Sequence, residues 1–265
     1  RSAGKLIGAL EHGELVDATI DVFDSKWLPR LFARERQEIR AEHDAQQALT
    51  ASPTAVEHSL VGKVGQHMLR RAIQIVRSAR HGGMILVVGS GADGQQNALE
   101  GLRLKYRVDQ DEPSRRYRTL LLSLLEAVAA TTSNASVGWS DFATNSSAEI
   151  EKLEQAVFEM SRVIANFTAI DGAVVLDKRF GLHGFGAEVS AELPTPDRVY
   201  RALDPEGANT EADDVENVGT RHRAAYRFVS GHSDRVAIAV SQDGGVTFVA
   251  NRDGRVVYWE QSVSP

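Results

Sequence analysis

Two short segments of the chain carry residue types that could do chemistry. The first is Asp171-Gly172-Ala173, which places an acid at the junction between a predicted helix and a predicted buried strand. A carboxylate at such a junction can hold a divalent metal or accept a proton from a hydroxyl group, and the small residues after it let a ligand approach the backbone. Taken alone, an Asp-Gly pair at the boundary of an element more often indicates a simple turn.

The second segment is Gly219-Thr220-Arg221-His222-Arg223, at the predicted start of a helix. The free N–H groups and partial positive charge of a helix N-terminus suit a phosphate group. The same dipole disfavours cations in the first turn, so Arg221 and Arg223 need an anion, and two guanidinium groups can grip phosphate oxygens. This segment leaves a second interpretation open, in which the arginines pair with acidic residues just upstream, namely Asp213, Asp214 and Glu216.

Other patterns in the sequence are weaker predictors of a site. Gly89-Ser90-Gly91 lacks the lysine and the spacing of a phosphate-binding loop. The histidines stand singly and do not form a metal-binding pattern, and the absence of cysteine excludes thiolate zinc sites and disulfides.

The elements that must position the two segments follow from hydrophobic periodicity. Helices are predicted over residues 26–49, 56–80, 120–130 and 150–167. Strands are predicted over residues 84–88, 173–176, 186–189, 235–241, 246–250 and 255–259. Residues 131–147 and 194–218 are rich in polar and turn-forming residues and are predicted to be loops. The pattern predicts an α/β (α+β) fold, in which a mixed central sheet is flanked by helices.

The overall composition limits the classes of function. A length of 265 residues with 42% hydrophobic and 25% charged residues fits one large domain, or one domain with a small appendage. The net charge of -6 argues against nucleic acid or an anionic membrane as a general partner. Because no apolar run approaches the length of about 20 residues that a membrane helix needs, we expect no membrane segment. The absence of cysteine agrees with a reducing compartment, and we expect a cytoplasmic location.

In this order, Asp171-Gly172-Ala173 and Gly219-Thr220-Arg221-His222-Arg223 resemble the two motifs that mark the diadenylate cyclase family. The predicted strand over residues 84–88 and the Val240-Ser241 pair after the second motif extend the resemblance over roughly residues 56–260. The resemblance implies a diadenylate cyclase-like domain at 56–265, with an insertion at about 92–147. Residues 1–55 would then form an N-terminal helical extension or part of a sensor region.

The resemblance also implies a mechanism. Each domain would bind one ATP, and two domains would meet face to face as a homodimer or a higher homo-oligomer. The 3′-hydroxyl of each ATP would attack the α-phosphate of the other, releasing two pyrophosphates and cyclic di-AMP.

The resemblance further assigns roles to the motif residues. Asp171 would position Mg²⁺ or Mn²⁺ and the hydroxyl, with Gly172 and Ala173 close to the nucleotide. The phosphates would be held by the second motif, namely Gly219, Thr220, Arg221, His222 and Arg223.

The sequence departs from the family pattern at two places that matter for activity. Gln242 follows the Val-Ser pair, where some branches of the family have a metal-binding acid, and the acidic loop before Gly219 is longer than usual. These departures keep a catalytically silent nucleotide-binding sensor of the same fold as an alternative. A further alternative is a scaffold whose N-terminal helices bind a protein partner and which binds no nucleotide. The acidic composition gives little support to a DNA-scanning role.

Overall fold

A computed structural model gives the structure of residues 8–11, 14–17, 20–49, 54–89, 98–108, 113–132, 134–215 and 218–261. Side chains are described from residue 20 onward, except at residues 113–115. After a 3₁₀ turn at Val22–Asp24, the helices in these ranges are α1 (Trp27–Leu31), α2 (Ala33–Gln47), α3 (His58–Ala79), α4 (Pro113–Ala130), α5 (Trp139–Thr144), α6 (Ala148–Phe167) and α7 (Thr220–Val229). None of these helices combines the length with the apolar character that crossing a bilayer requires.

The strands form one large mixed sheet and two small ones. Strands β1 (Gly8–Glu11) and β2 (Glu14–Asp17) pair as a hairpin, and β3 (Ala55–Val56) pairs with β6 (Ser136–Val137). The remaining strands are β4 (Gly83–Val87), β5 (Leu102–Arg107), β7 (Ala173–Leu176), β8 (Leu182–Val189), β9 (Val199–Ala202), β10 (Thr210–Asp213), β11 (Val236–Val240), β12 (Val246–Arg252) and β13 (Arg255–Glu260). They form a nine-stranded sheet in the order β10-β9-β13-β12-β11-β4-β7-β8-β5.

The centre of the large sheet is buried on both faces because β4, β7 and β11 are continuous apolar runs. On one face, Ile85, Val174 and Ile238 pack with the buried sides of α3, α4 and α6. On the other face, Leu86 and Ala173 pack with residues of α7. The fold therefore has a thick helical layer on one side of the sheet, and α7 covers the other side. This arrangement confirms the predicted α+β class with a mixed sheet flanked by helices.

The N-terminal segment packs onto the far part of the sheet. The indole of Trp27 stacks on Trp259 of β13, with ring centroids 4.6 Å apart, and its Nε1 donates to the carbonyl oxygen of Pro205 over 2.9 Å. The backbone N–H of Val22 donates to Oε1 of Gln261 over 2.7 Å. Because Val22 and Trp27 are almost completely buried, residues 20–49 belong to the same hydrophobic core as the sheet.

Three predictions about local structure were wrong. Residues 194–218 contain β9 and β10, which the sequence hides because β10 is exposed and polar at the margin of the sheet. Residues 131–147 contain β6 and the short helix α5, which begins after Gly138, where the Asp141 carboxylate accepts the backbone N–H of Gly138. The single helix predicted over residues 26–49 is broken at Phe32, which lies between α1 and α2.

The segment predicted as an insertion, residues 92–147, contributes to both layers where the structure describes it. Strand β5 extends the sheet by pairing with β8, and α4 packs on α6. Within the first 55 residues the described elements are β1, β2, the 3₁₀ turn, α1, α2 and the first residue of β3.

Candidate functional site

The central strands β4, β7 and β11 share one edge of the sheet, at which β4 and β7 begin and β11 ends. Strand β4 pairs in parallel with β7, through Ile85 and Val174, and in an antiparallel manner with β11, through Gly83 and Val240. The first residues of β4 and β7 therefore lie at the same edge as the last residue of β11. We call this the site edge, and Gly82, Asp171 and Val240 define it.

Asp171-Gly172-Ala173 lies at the site edge, between the end of α6 and the start of β7. Gly172 has φ +109°, and a β-carbon built on it would lie 2.6 Å from the carbonyl carbon of Gly186 in β8. Only glycine adopts this conformation easily and permits this close contact between the two backbones. Asp171 is exposed, whereas Ala173 is buried. The segment thus presents one carboxylate to solvent at the junction between α6 and β7.

The second segment begins α7. Gly219 is the N-cap and offers no side-chain cap, and the first turn contains no acidic residue. Thr220, Arg221 and Arg223 are exposed, and His222 is half-buried. The first turn of α7 therefore combines free N–H groups with the guanidinium groups of Arg221 and Arg223. This arrangement suits an anion.

The Arg221 side chain connects α7 to the site edge. A β-carbon built on Gly82 would lie 2.5 Å from Arg221 Nη1, so the guanidinium lies over the residue that precedes β4. Since β4 pairs directly with β7, Gly82 and the start of β7 are one strand spacing, or about 5 Å, apart. A nucleotide can span this distance.

The alternative in which the arginines pair with the upstream acids receives no support from the described residues. Neither Arg221 nor Arg223 has a carboxylate oxygen within 4.0 Å in the described ranges. Asp213 instead accepts a hydrogen bond from the Tyr258 hydroxyl over 2.6 Å. Glu216, the third acid of that alternative, lies outside the described residues. Among the described side chains, therefore, no carboxylate competes with an anion from solution for either guanidinium group.

His222 joins the site to strand β12. Its Nε2 lies 3.1 Å from Oγ1 of Thr247. Burial lowers the pKa of His222 from its ordinary value of 6.5, and Asp243 and Glu260 counteract this effect. The imidazole is therefore mainly neutral at neutral pH and can act as a hydrogen-bonding group.

Thr247, Asp243 and Glu260 extend the site edge beyond the residues predicted from sequence. Thr247 and Glu260 face each other in the pairing of β12 with β13, and Asp243 lies in the turn before β12. Their proximity to His222 arises from strand pairing. The only signal in the sequence was the predicted hairpin turn at Asp243-Gly244-Gly245, which does not show what the turn faces.

Comparisons with known proteins do not assign a family. No family model matches the chain, and no curated protein matches it. Among solved structures, a match is found to a hypothetical membrane spanning protein from Bacillus cereus, with 18% sequence identity and a TM-score of 0.36. The match covers 75% of this chain and 64% of that chain, so it spans less than two thirds of the matched protein.

Proposed function

We propose that this protein is a diadenylate cyclase, which joins two ATP molecules into cyclic di-AMP. The observation that carries the proposal is the convergence of Asp171 and the N-terminus of α7 at one edge of the sheet, although Asp171 and Gly219 are 48 positions apart in the chain. The two segments are the ones that resemble the family motifs. Their convergence supports a shared site.

The proposed nucleotide lies along the site edge between the two segments. Its phosphates accept hydrogen bonds from the first N–H groups of α7 and from Arg221 and Arg223, which lack carboxylate partners among the described residues. Gly172 and Ala173 line the other end, at the close contact between the backbones of Gly172 and Gly186. His222 supports the phosphate end through its contact with Thr247.

A divalent cation fits this site as a companion of the nucleotide. The described residues contain no group of three or more histidine or acidic side chains that could hold a metal ion by themselves. Mg²⁺ bound with a nucleotide commonly uses only one or two carboxylates and takes its other ligands from phosphates and water. Asp171 would supply the carboxylate, and Mg²⁺ or Mn²⁺ would neutralise negative charge on the phosphates.

The proposed reaction requires two chains. One chain holds one ATP, and the 3′-oxygen of each ATP forms a bond to the α-phosphorus of the other. The bond between that phosphorus and the oxygen bridging to the β-phosphate breaks, so that each ATP loses one pyrophosphate and each 3′-hydroxyl loses one proton. We therefore propose an active homodimer, or a higher homo-oligomer, in the cytoplasm, with both site edges facing each other.

Gln242 favours a second candidate, a nucleotide-binding sensor without turnover. This residue is exposed and follows β11 by two positions, at the site edge, where some branches of the family have an acid. Such a protein would bind ATP through α7 but would lack part of the metal site. The two candidates differ in product formation and share nucleotide binding.

The test is to incubate the purified chain with ATP and Mn²⁺ or Mg²⁺, and to detect cyclic di-AMP by chromatography and mass spectrometry. We expect Asp171→Asn to abolish product, because the variant loses the carboxylate without losing the side-chain shape. The matched control is Asp197→Asn, an exposed acid next to β9 at the opposite end of the sheet. Product that persists in Asp171→Asn would exclude the proposed role of Asp171.

A binding measurement separates the two candidates. We expect Arg221→Ala combined with Arg223→Ala to weaken ATP binding at least about tenfold, since charge-assisted hydrogen bonds contribute about 1.5–3 kcal/mol each. The control removes two other exposed arginines, through Arg116→Ala and Arg198→Ala, and so matches the change in net charge. ATP binding without product at protein concentrations that permit dimers would favour the sensor, and unchanged binding in the first variant would exclude a phosphate site at α7.

A further inference from the structure

A pocket lies on the helical face of the sheet, away from the site edge. It is bounded by α1, α2, α3, α4 and the turn between β7 and β8, and it encloses about 550 Å³, which includes space open to solvent. Asp171 lies before the first residue of β7, whereas the pocket turn, residues 178–180, lies after its last.

Tyr117 of α4 lines this pocket, which we call the Tyr117 pocket. Tyr117 is only 1% exposed, and its hydroxyl has no hydrogen-bond partner among the described residues. Burial raises the pKa of Tyr117, so the hydroxyl keeps its proton and can act as a donor. Because a buried hydroxyl without a hydrogen-bond partner is destabilising, a ligand oxygen that accepts this proton would be stabilising.

Two glycines of α3, Gly62 and Gly65, line the pocket and leave the space between Tyr117 and Arg36 free of side chains from α3. A β-carbon built on Gly65 would lie 4.0 Å from the Tyr117 hydroxyl, and one built on Gly62 would lie 2.6 Å from Arg36 Nη1. Positions three apart on a helix have β-carbons about 5–6 Å apart. The hydroxyl and the guanidinium therefore flank the same face of α3, within reach of one small ligand.

The charged groups of the pocket favour an anion. Its lining includes the cations Arg36, Lys178 and Arg179 but only one carboxylate, that of Glu35. Arg179 is paired with Glu38 over 2.6 Å. Arg36 donates to backbone carbonyl groups and has no carboxylate within 4.0 Å in the described ranges. The half-buried guanidinium of Arg36 is thus the natural partner for the charged group of a ligand.

Aromatic rings form the apolar part of the pocket. Phe180 stacks on Phe32 at 5.6 Å and meets Tyr117 edge-on at 5.3 Å. Its backbone has φ +59°, a conformation that is unfavourable for a residue other than glycine. These ring contacts keep the turn in this shape, and the rings offer a surface to the apolar part of a ligand.

We infer that the Tyr117 pocket binds a small amphiphilic carboxylate, such as an aryl-substituted fatty acid of short chain length. Its apolar body packs between Phe32, Phe180 and the buried side chain of Leu121. Its carboxylate accepts hydrogen bonds from Tyr117 and Arg36. This site is separate from the site edge and does not depend on cyclase activity.

The test is calorimetric titration of the full chain with 4-phenylbutanoate and with 4-phenylbutylammonium, which has the same apolar body and the opposite charge. We expect saturable binding of the carboxylate and at least about tenfold weaker binding of the ammonium compound. Tyr117→Phe removes only the hydroxyl oxygen, and we expect it to weaken carboxylate binding about tenfold. The matched control is Tyr106→Phe, since Tyr106 is largely exposed on β5.

A second variant tests the pocket without altering the buried hydroxyl. Gly65→Ala places a methyl group 3.0 Å from the Phe180 ring, inside the pocket, and alanine favours the helix more than glycine does. We expect this variant to fold and to lose affinity for 4-phenylbutanoate. No saturable binding to the unmodified chain, equal binding of the two probes, or unchanged affinity in Gly65→Ala would each overturn the inference.

Discussion

Arg221 lies over Gly82, where a β-carbon would be only 2.5 Å from the guanidinium Nη1 and 2.9 Å from the carbonyl oxygen of Val240. Gly82 also has φ +66°, in the left-handed region that favours glycine. The position of an exposed arginine in α7 therefore depends on a missing side chain 139 positions earlier in the chain. Arg221 of the candidate phosphate site thus contacts the segment that follows α3.

Gly82→Ala is expected to displace Arg221 and to weaken ATP binding about tenfold, because one charge-assisted contact with the phosphates is lost. The matched control is Gly231→Ala, since Gly231 has φ +75° but no atom within 4 Å of a built β-carbon. Both variants carry the backbone strain, so only Gly82→Ala should change the ATP dissociation constant measured by calorimetry. Equal affinities in the two variants would show that Arg221 does not bind the phosphates.

Gly172→Ala is expected to lower the free energy of unfolding more than a change at an open left-handed glycine does. The added β-carbon would lie 2.6 Å from the backbone of Gly186, whereas Gly254, with φ +82°, has no atom within 4 Å of that position. We expect Gly254→Ala to cost about 1 kcal/mol from strain alone. Gly172→Ala should cost about 1–3 kcal/mol more, since it forces β7 and β8 apart. Urea denaturation of the two variants gives the comparison, and equal losses would contradict the close contact.

His222 is expected to make stability depend on pH below the ordinary histidine pKa. Its pKa is lowered from 6.5 in the folded protein, mainly by burial, so the unfolded chain binds a proton that the folded chain resists. Its contribution is fully present above pH 6.5 and is lost as the pH falls toward the folded-state pKa.

The comparison of unfolding free energies at about pH 7.5 and about pH 5.5 tests this expectation. Burial also lowers the pKa values of His67 and His232, so the unmodified chain should lose stability from all three groups on acidification. His222→Gln should show a smaller loss than the unmodified chain. An identical loss in both would mean that His222 has the same pKa in the folded and unfolded states.

Trp27→Ala is expected to destabilise the protein by about 3–5 kcal/mol, because it removes a fully buried ring from the core. Trp27 stacks on Trp259 and donates to Pro205, so the loss includes one hydrogen bond. Trp27→Phe keeps an aromatic ring and should cost less. Chemical denaturation measures both values, and a cost below about 1 kcal/mol for the alanine variant would show that the N-terminal segment contributes little to the fold.

The strongly periodic and continuously apolar segments were predictable from sequence. Helix α6 and strand β7 have the patterns that define their types, and both were predicted, as were the positions of the turns after β11 and β12. Strands β9 and β10 were missed because each has only four residues and β10 is largely polar. Pairing with β13 and with each other is what makes them strands. Pairing between distant segments leaves no local signal.

The residues of the candidate site were predictable, but their surroundings were not. Asp171 and the α7 N-terminus were identified by residue type and by resemblance, and their shared edge depends on the strand order. The contacts of Arg221 with Gly82, and of His222 with Thr247, come from that order. The Tyr117 pocket was not predicted either, because its walls come from five separate parts of the chain.

The outermost strand β5 carries Arg103, Lys105 and Arg107 at alternate positions, all on exposed side chains. Arg103 is paired with Glu188 of β8 over 2.6 Å, and neither Lys105 nor Arg107 has a carboxylate within 4.0 Å in the described part of the chain. A row of cations of this kind repels the same row on another molecule and opposes the addition of a further strand. The charges on β5 therefore oppose aggregation of many chains by strand addition at this edge of the sheet.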